Sequence, residues 1–466
     1  MSATYLAADF GATSGRLIAG RIAHGRLELE EVYRFPTPRL ARDGHTYWDF
    51  PACVEHLREG FRRAARRYDD VASVAVDTWG VDFGLVDAEG KLLGLPYCYR
   101  DESSVPYRDK LLAEIPESEL YGLTGLPALS INSIYRLMAI KAAGEPDLKR
   151  AAHLLFMPDL FAHSLCGSVA NEYTIASTSQ LLDVRSRRWA LSLIRRLGLP
   201  EEIFGEIVQP GHTLGCINEA TARATGLCRS VKVVAAAGHD TACAVYAASC
   251  TPDYKPGRTA FLSSGTWSLL GAELEQPIVT QAALRAGFSN EGGTGAHITF
   301  LQNITGLWIL QRLIDEWKAE GKSCGYAELI AMARESQFNA TIDVDDACFN
   351  NPQSMSAAIA SWLGSRSLFA PQTQGDAVRC VLASLASRYR KGIEKLDSLL
   401  PEPVSGLHII GGGSRNPLLN ELTAEATGLR VTAGPAEATA IGNILIQARA
   451  DGAIDRLTDI NEIIEP

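Results

Sequence analysis

One pattern occurs twice in this chain, and it limits the folds available more than any other feature. Tyr5-Leu-Ala-Ala-Asp-Phe-Gly-Ala-Thr-Ser-Gly-Arg-Leu-Ile-Ala-Gly-Arg21 runs apolar strand, tight turn of glycines and small hydroxyl residues, apolar strand. Arg258-Thr-Ala-Phe-Leu-Ser-Ser-Gly-Thr-Trp-Ser-Leu-Leu-Gly-Ala-Glu-Leu274 repeats that layout. Two such hairpins so far apart in a 466-residue chain predict an internal duplication, with two related domains facing each other across a cleft where ligands bind. The polar, proline-bearing stretch Thr251 to Gly257 suits a linker. The expected division is an N-terminal domain over 1–242 and a C-terminal domain over 243–466.

Between the hairpins, strand and helix signals alternate, as in the α/β class. Val54, Leu57, Phe61, Ala64 and Ala65 recur at helical spacing behind Pro51. Val71 to Val76 and Val81 to Val86 read as strands, the second closed by the turn Asp87 to Gly90. Val231 to Ala237 reads as a strand and Ala242 to Ala248 as a small-residue helix. Gly306 to Trp317 and Ala377 to Leu400 carry apolar stripes that read as core-facing helices. Leu407 to Ile410 is a further strand, followed by a helix with Asn416 at its cap, Pro417 in its first turn and Gly428 at its end.

Composition removes several classes of function. Apolar residues at 46% and charged residues at 21% are those of a globular protein and exclude disorder. A net charge of −10 with no basic run excludes a nucleic-acid surface. No apolar run reaches 18 residues, so no membrane partner is expected. Asp9 interrupts the only apolar run at the start, and none of the ten cysteines forms a C-x-x-C pair, so the expected location is the cytoplasm. Monomer and homodimer both stay open.

Several short segments have the chemistry of a site. Asp9 ends a strand and precedes the turn Gly11, Ala12, Thr13, Ser14, Gly15, whose backbone N–H groups and hydroxyls suit phosphate oxygens; Arg16 adds a cation. A plain hairpin explains the same glycines. Thr266 lies in the matching second turn. No G-x-x-x-x-G-K-[ST] loop occurs, so a nucleotide would be held by hairpins. Gly411, Gly412 and Gly413 stand between a strand and a helix, where bare backbone can approach a nucleotide closely, although a ligand-free turn reads the same. Gly238-His-Asp-Thr-Ala242 places Asp240 at a helix start, either as a simple N-cap or as a base that the helix dipole keeps ionised. Asp77-Thr-Trp-Gly-Val-Asp82 offers carboxylates, an aromatic face and an open glycine to a polyol, while Trp79 also reads as core. Asn303 and Gln311 flank a helix start, where amides serve a ligand or a cap.

Taken in order, Asp9 to Arg16, Asp77 to Phe83, Gly94 to Asp101, Gly238 to Ala242, Ser263 to Ser268, Asn303 to Trp308 and Gly411 to Asn416 resemble the FGGY carbohydrate kinases over nearly the whole chain. That resemblance implies two actin-like (ribonuclease-H-like) domains flanking a central cleft, and transfer of phosphate from ATP, with Mg²⁺, to a small-molecule sugar. The implied acceptor is the 1-hydroxyl of a 6-deoxy-ketohexose, L-rhamnulose before L-fuculose or another ketose. An actin-like regulator that binds ATP and sugar without catalysis is the alternative of another class. By the same resemblance Asp240 is the catalytic base, and Ala12, Thr13, Ser14, Gly15, Arg16, Thr266, Gln311, Gly411, Gly412 and Gly413 bind ATP. Gly80, His239, Asp240, Thr241 and Asn303 are implied at the sugar, and Asp9 at the metal. Some members of the resembling group carry a cysteine pair in the second domain; Cys348 and Cys380 do not match its placement, so no disulfide is expected.

Overall fold

The computed structural model describes residues 3–464 apart from 250, 252, 323, 456–459 and 461, so Pro252 of the expected linker lies outside the described residues. Compactness divides the chain into two units. Met1–Pro252, Leu274–Phe300 and Ala438–Pro466 form the first, Asp253–Glu273 and Leu301–Glu437 the second. This differs from a single division after residue 242, because two later segments fold back into the first unit.

In the first unit, strands β1 (Thr4–Phe10) and β2 (Ser14–Ala23) form the expected hairpin, with Asp9 opposite Arg16 and Phe10 opposite Gly15. Strand β3 (Arg26–Pro36) pairs antiparallel with β2. On the other side β4 (Val71–Thr78) runs parallel to β1, and β5 (Lys232–Val234) parallel to β4. The order is β5-β4-β1-β2-β3, with Thr213–Cys216 and Glu462–Ile464 at the edges. Leu6, Ala8 and Phe10 alternate along β1 and join Leu17, Ala19, Val74 and Val76 in one core. The helix Phe50–Ala65 covers it with Cys53, Leu57 and Phe61; Asp49 Oδ1 accepts from Ala52 N at 3.1 Å, and Pro51 stands in the first turn. The helix Ala438–Ala450 packs on the same sheet and on the helix Asp240–Ala248. Glycines allow this approach: a Cβ on Gly20 would stand 2.6 Å from Ile444 Cδ1, and one on Gly442 would stand 1.9 Å from the Cys243 carbonyl oxygen.

The second unit repeats the plan. Strands β6 (Thr259–Ser264) and β7 (Trp267–Leu274) are the antiparallel hairpin, with β8 (Ile298–Thr305) beyond β7. Strand β9 (Gly406–Ile410) runs parallel to β6, and β10 (Arg430–Ala433) parallel to β9. The order β10-β9-β6-β7-β8 matches β5-β4-β1-β2-β3 strand for strand. Helices lie close to their expected bounds. Trp308–Ala319 starts two residues late, and Gln374–Asp397 starts three residues early behind a Thr373/Asp376 capping box. Pro417–Thr427 begins at Asn416, whose Oδ1 accepts from Leu419 N at 3.0 Å, and ends at Gly428 in the left-handed region. No helix among the described residues is long and apolar enough to cross a membrane. The nine described cysteines, Cys348 and Cys380 among them, are free thiols.

Candidate active site

Parallel pairing brings three carboxylates to one end of the first unit. Asp9 and Asp77 are register partners at the C-terminal ends of β1 and β4. Beside β4, Thr78 N donates to the Gly238 carbonyl at 2.8 Å, and Thr78 bridges His239, which brings Asp240 to the same end. The strand expected over 231–237 closes at Val234, and the following helix starts at Asp240 with His239 as its cap residue. Asp240 therefore stands in the first turn and not at the cap position. Its Oδ1 accepts from the Thr241 hydroxyl at 3.1 Å, and a third of its side chain is open. The expected effect of the helix dipole is outweighed: burial raises the pKa of Asp240 above the ordinary value, His239 opposes that rise, and Asp9 adds to it.

The partners of the other two carboxylates differ. Arg16 donates to Asp9 Oδ2 from Nε at 3.1 Å and Nη2 at 3.0 Å. Asp77 is fully buried; its Oδ2 accepts from Asn443 Nδ2 at 2.6 Å, while its Oδ1 is buried with no partner. Gln447 Nε2 donates to Asn443 Oδ1 at 2.7 Å and to the Leu6 carbonyl at 3.1 Å, and Gln447 Oε1 accepts from Ser73 Oγ at 2.7 Å. Burial, then Asp9, push the Asp77 carboxyl well above the carboxylate range against the pull of Asn443, with Asp240 adding to the rise. Three acids crowd against Arg16, and one buried carboxyl oxygen among them has no hydrogen-bond partner. Among the described residues no three His, Cys, Asp or Glu side chains converge to cage a metal. This end therefore suits a hydrated Mg²⁺ that takes most of its ligands from water and phosphate oxygens.

Two glutamates that the sequence reading passed over shape the turn before Asp240. Glu172 accepts from Gly238 N at 2.8 Å, Thr174 N at 2.8 Å, Thr174 Oγ1 at 2.6 Å and Ile175 N at 3.1 Å. Burial pushes it up to about 7 in spite of these donors. A Cβ on Gly238 would stand 2.9 Å from Glu172 Oε2, so this close approach needs glycine. Glu291 faces the ring of His239, Oε2 to Nδ1 at 3.1 Å, and His239 Nε2 lies 3.5 Å from Asp240 Oδ1. Thr241 is buried, and Gly80 is half-buried against Thr178. Val81, next to Gly80, is held at φ 70° with its N–H on Thr178 Oγ1 at 3.0 Å, a costly backbone for a β-branched residue. Trp79 is core and also a donor: with Trp48 Nε1 (2.6 Å) and Tyr99 N (3.1 Å), its Nε1 (2.8 Å) binds Asp82 Oδ2.

In the first hairpin turn, Gly11 N donates to the Ser14 carbonyl at 3.0 Å, leaving Thr13 and Ser14 exposed and Ala12 half-buried. The second unit gathers the remaining nucleotide candidates around its own hairpin. Thr266 Oγ1 donates to Gln311 Oε1 at 3.1 Å. A Cβ on Gly413 would lie 2.0 Å from Ser264 Oγ, and Gly411 has φ 80°. Gly412 between them is exposed. Asn303 is exposed on β8, and Leu307 takes the helix cap, so the capping alternative for Asn303 does not hold.

Two family models cover most of the chain: the N-terminal domain of the FGGY family of carbohydrate kinases over residues 4–247, and the C-terminal domain of that family over 260–450. A rhamnulokinase from Bacteroides thetaiotaomicron is 42% identical over 465 residues, covering 100% of this chain and 94% of its own. A rhamnulokinase from Pectobacterium carotovorum is 37% identical, covering 98% and 90%. Among solved structures, a gluconate kinase from Lactobacillus acidophilus superposes with a TM-score of 0.80 at 13% identity, covering 99% of this chain and 92% of that one. A xylulose kinase from Rhodospirillum rubrum gives 0.79 at 16%, covering 99% and 92%. Those likenesses give the actin-like fold of both units, which the matched strand orders display. With its two halves matched in turn and relatives aligned from end to end, the chain belongs to the FGGY family of carbohydrate kinases.

Proposed function

We propose that the protein transfers the γ-phosphoryl group of ATP to the 1-hydroxyl of L-rhamnulose, a 6-deoxy-ketohexose, giving the 1-phosphate and ADP in deoxysugar catabolism. The observation that carries this reading is the Asp240 carboxylate, part-open and set beside the Asp9–Arg16 hairpin end, in a chain whose full-length relatives are rhamnulokinases. Asp240 accepts the proton of the sugar hydroxyl as its oxygen bonds to the γ-phosphorus and the bond from that phosphorus to the β-phosphate oxygen breaks. The transition state for such transfer is loose, so orienting the hydroxyl in line matters more than basic strength.

Gly80, His239, Thr241 and Asn303 hold the sugar. The backbone N–H groups from Ala12 to Gly15 and the Arg16 guanidinium take phosphate oxygens. Thr266, Gln311 and the bare backbone of Gly411, Gly412 and Gly413 take the rest of the nucleotide. Mg²⁺, when bound facing Asp9, neutralises phosphate charge. Exclusion of water from the reacting groups favours transfer over hydrolysis. The free thiols and negative net charge suit a cytoplasmic protein, as monomer or homodimer.

The test is ADP release with Mg-ATP against L-rhamnulose, L-fuculose, L-ribulose, D-xylulose and glycerol. L-Rhamnulose is expected to give the highest kcat/KM by at least tenfold. A higher value with another sugar overturns the substrate, and no stimulation by any of them overturns the reading.

A further inference from the structure

A cavity of about 420 Å³ opens in the first unit on residues that the site above does not use. That volume is in the range that takes a small-molecule ligand. Arg187, Arg449, Tyr246 and the turn Thr294, Gly295, Ala296 line it, and no aspartate or glutamate does. Tyr246 stands six residues beyond Asp240 on the helix Asp240–Ala248, about 9 Å along its axis at 1.5 Å per residue. Arg449 is in the last turn of the helix Ala438–Ala450. Arg187 lies in the turn between the short paired strands Leu182–Asp183 and Arg188–Trp189.

Neither guanidinium pairs with a carboxylate among the described residues. Arg449 Nη1 donates to the Tyr246 hydroxyl at 3.4 Å and Arg187 Nη2 to the Glu275 carbonyl at 3.5 Å, both long for such bonds. The acids near them in sequence are taken. Asp451 accepts from Lys232 Nζ at 2.8 Å and the Tyr5 hydroxyl at 3.3 Å, and Asp183 Oδ1 accepts from Arg185 N and Ser186 N at 2.9 and 3.0 Å. Arg187 has φ 58°, a left-handed backbone that glycine adopts at less cost, so a long cationic side chain is held here against local preference.

The facing turn adds donors. Gly295 and Ala296 have φ 63° and 70°, and the N–H groups of Thr294, Gly295 and Ala296 have no hydrogen-bond partner among the described residues. Successive N–H groups of a turn that enters the left-handed region make an anion-binding concavity. A Cβ on Gly295 would meet nothing within 4 Å, so the turn is open to a ligand.

We propose that this cavity binds a small organic phosphomonoester, at a site separate from that of phosphoryl transfer. A phosphomonoester dianion matches two cations that lack carboxylate partners, and its three terminal oxygens can take both guanidinium forks and the N–H groups of the turn. A single carboxylate brings one charge and two oxygens, and a bare phosphate ion leaves most of the cavity to water. The site does not depend on the role given to Asp240.

The experiment is calorimetric titration of the full chain with glycerol 3-phosphate, inorganic phosphate and succinate, in the presence of saturating Mg-ADP. Glycerol 3-phosphate is expected to bind once per chain, at least threefold more tightly than inorganic phosphate and at least tenfold more tightly than succinate. Arg187→Gln and Arg449→Gln are each expected to weaken it about tenfold, and the double variant to abolish it, with Mg-ADP affinity unchanged in all three. No heat at millimolar glycerol 3-phosphate, or binding that Mg-ADP displaces, overturns the proposal without recourse to any variant. Inorganic phosphate or succinate binding as tightly as the ester overturns the ligand class. Unchanged affinity in either single variant, or a parallel loss of Mg-ADP affinity, overturns the assignment to this cavity.

Discussion

The two hairpin ends share one backbone plan and differ in electrical character. In the first unit the second-to-last residue pair of the hairpin is Asp9 opposite Arg16, with Asp77 beside Asp9 on the parallel strand. In the second unit the same places hold Ser263 opposite Leu269, with Ile410 beside Ser263. One end carries three mutually repelling acids and an arginine; the other offers a hydroxyl, an amide and bare glycine backbone. The two units share a strand order and differ in the side chains placed on it. The charged end suits proton transfer and phosphate charge, and the neutral end suits close approach by the body of a nucleotide.

That contrast can be broken at either end. The largest effect is expected from Asp240→Asn, which removes the proposed base while leaving the neutral end intact. Turnover should fall roughly 10²- to 10⁴-fold, with ADP affinity by calorimetry unchanged; near-normal turnover would show that the charged end does not supply the base. Next comes Gly413→Ala, which drives a methyl to 2.0 Å from Ser264 Oγ and 2.6 Å from its Cβ. Overpacking of this kind costs about 1–3 kcal/mol. ADP affinity should drop about tenfold or more while L-rhamnulose binding holds, and an equal loss of both ligands would erase the division of labour. The smallest effect is expected from Thr266→Val, which deletes the bond to Gln311. One net hydrogen bond is worth about 1 kcal/mol, so KM for ATP should rise about fivefold with KM for the sugar unchanged.

Local chemistry made much of this legible in the sequence. Both hairpins were readable because alternation and glycine turns act over a few residues, and Asn416-Pro417 with Gly428 marked a helix at both ends. The start of the helix after residue 238 was misread by two residues: small apolar residues mark its body, but the cap position falls on His239, which has no strong cap signature. Residues acting across long sequence separation escaped. Glu172 and Glu291 lie 66 and 52 positions from the backbone and ring they hold, with nothing local to flag them. Asn443 and Gln447 did leave a trace, as two amides one helical turn apart in an otherwise apolar helix, a pattern that costs stability unless both find partners.

The helix Ala438–Ala450 also has a meaning in time. Synthesis runs from the N-terminus, and after residue 300 the ribosome must add residues 301–437, all belonging to the second unit, before this helix exists. At typical elongation rates that is a wait on the order of ten seconds. Throughout it, Asp77, Ser73 and the Leu6 carbonyl lack the amides that later satisfy them, and Gly20 lacks Ile444. The part of the protein made first is therefore completed last. A stop codon or proteolytic cut shortly before residue 438 would disable the acidic end some 360 residues upstream, while leaving the strands of the second unit whole.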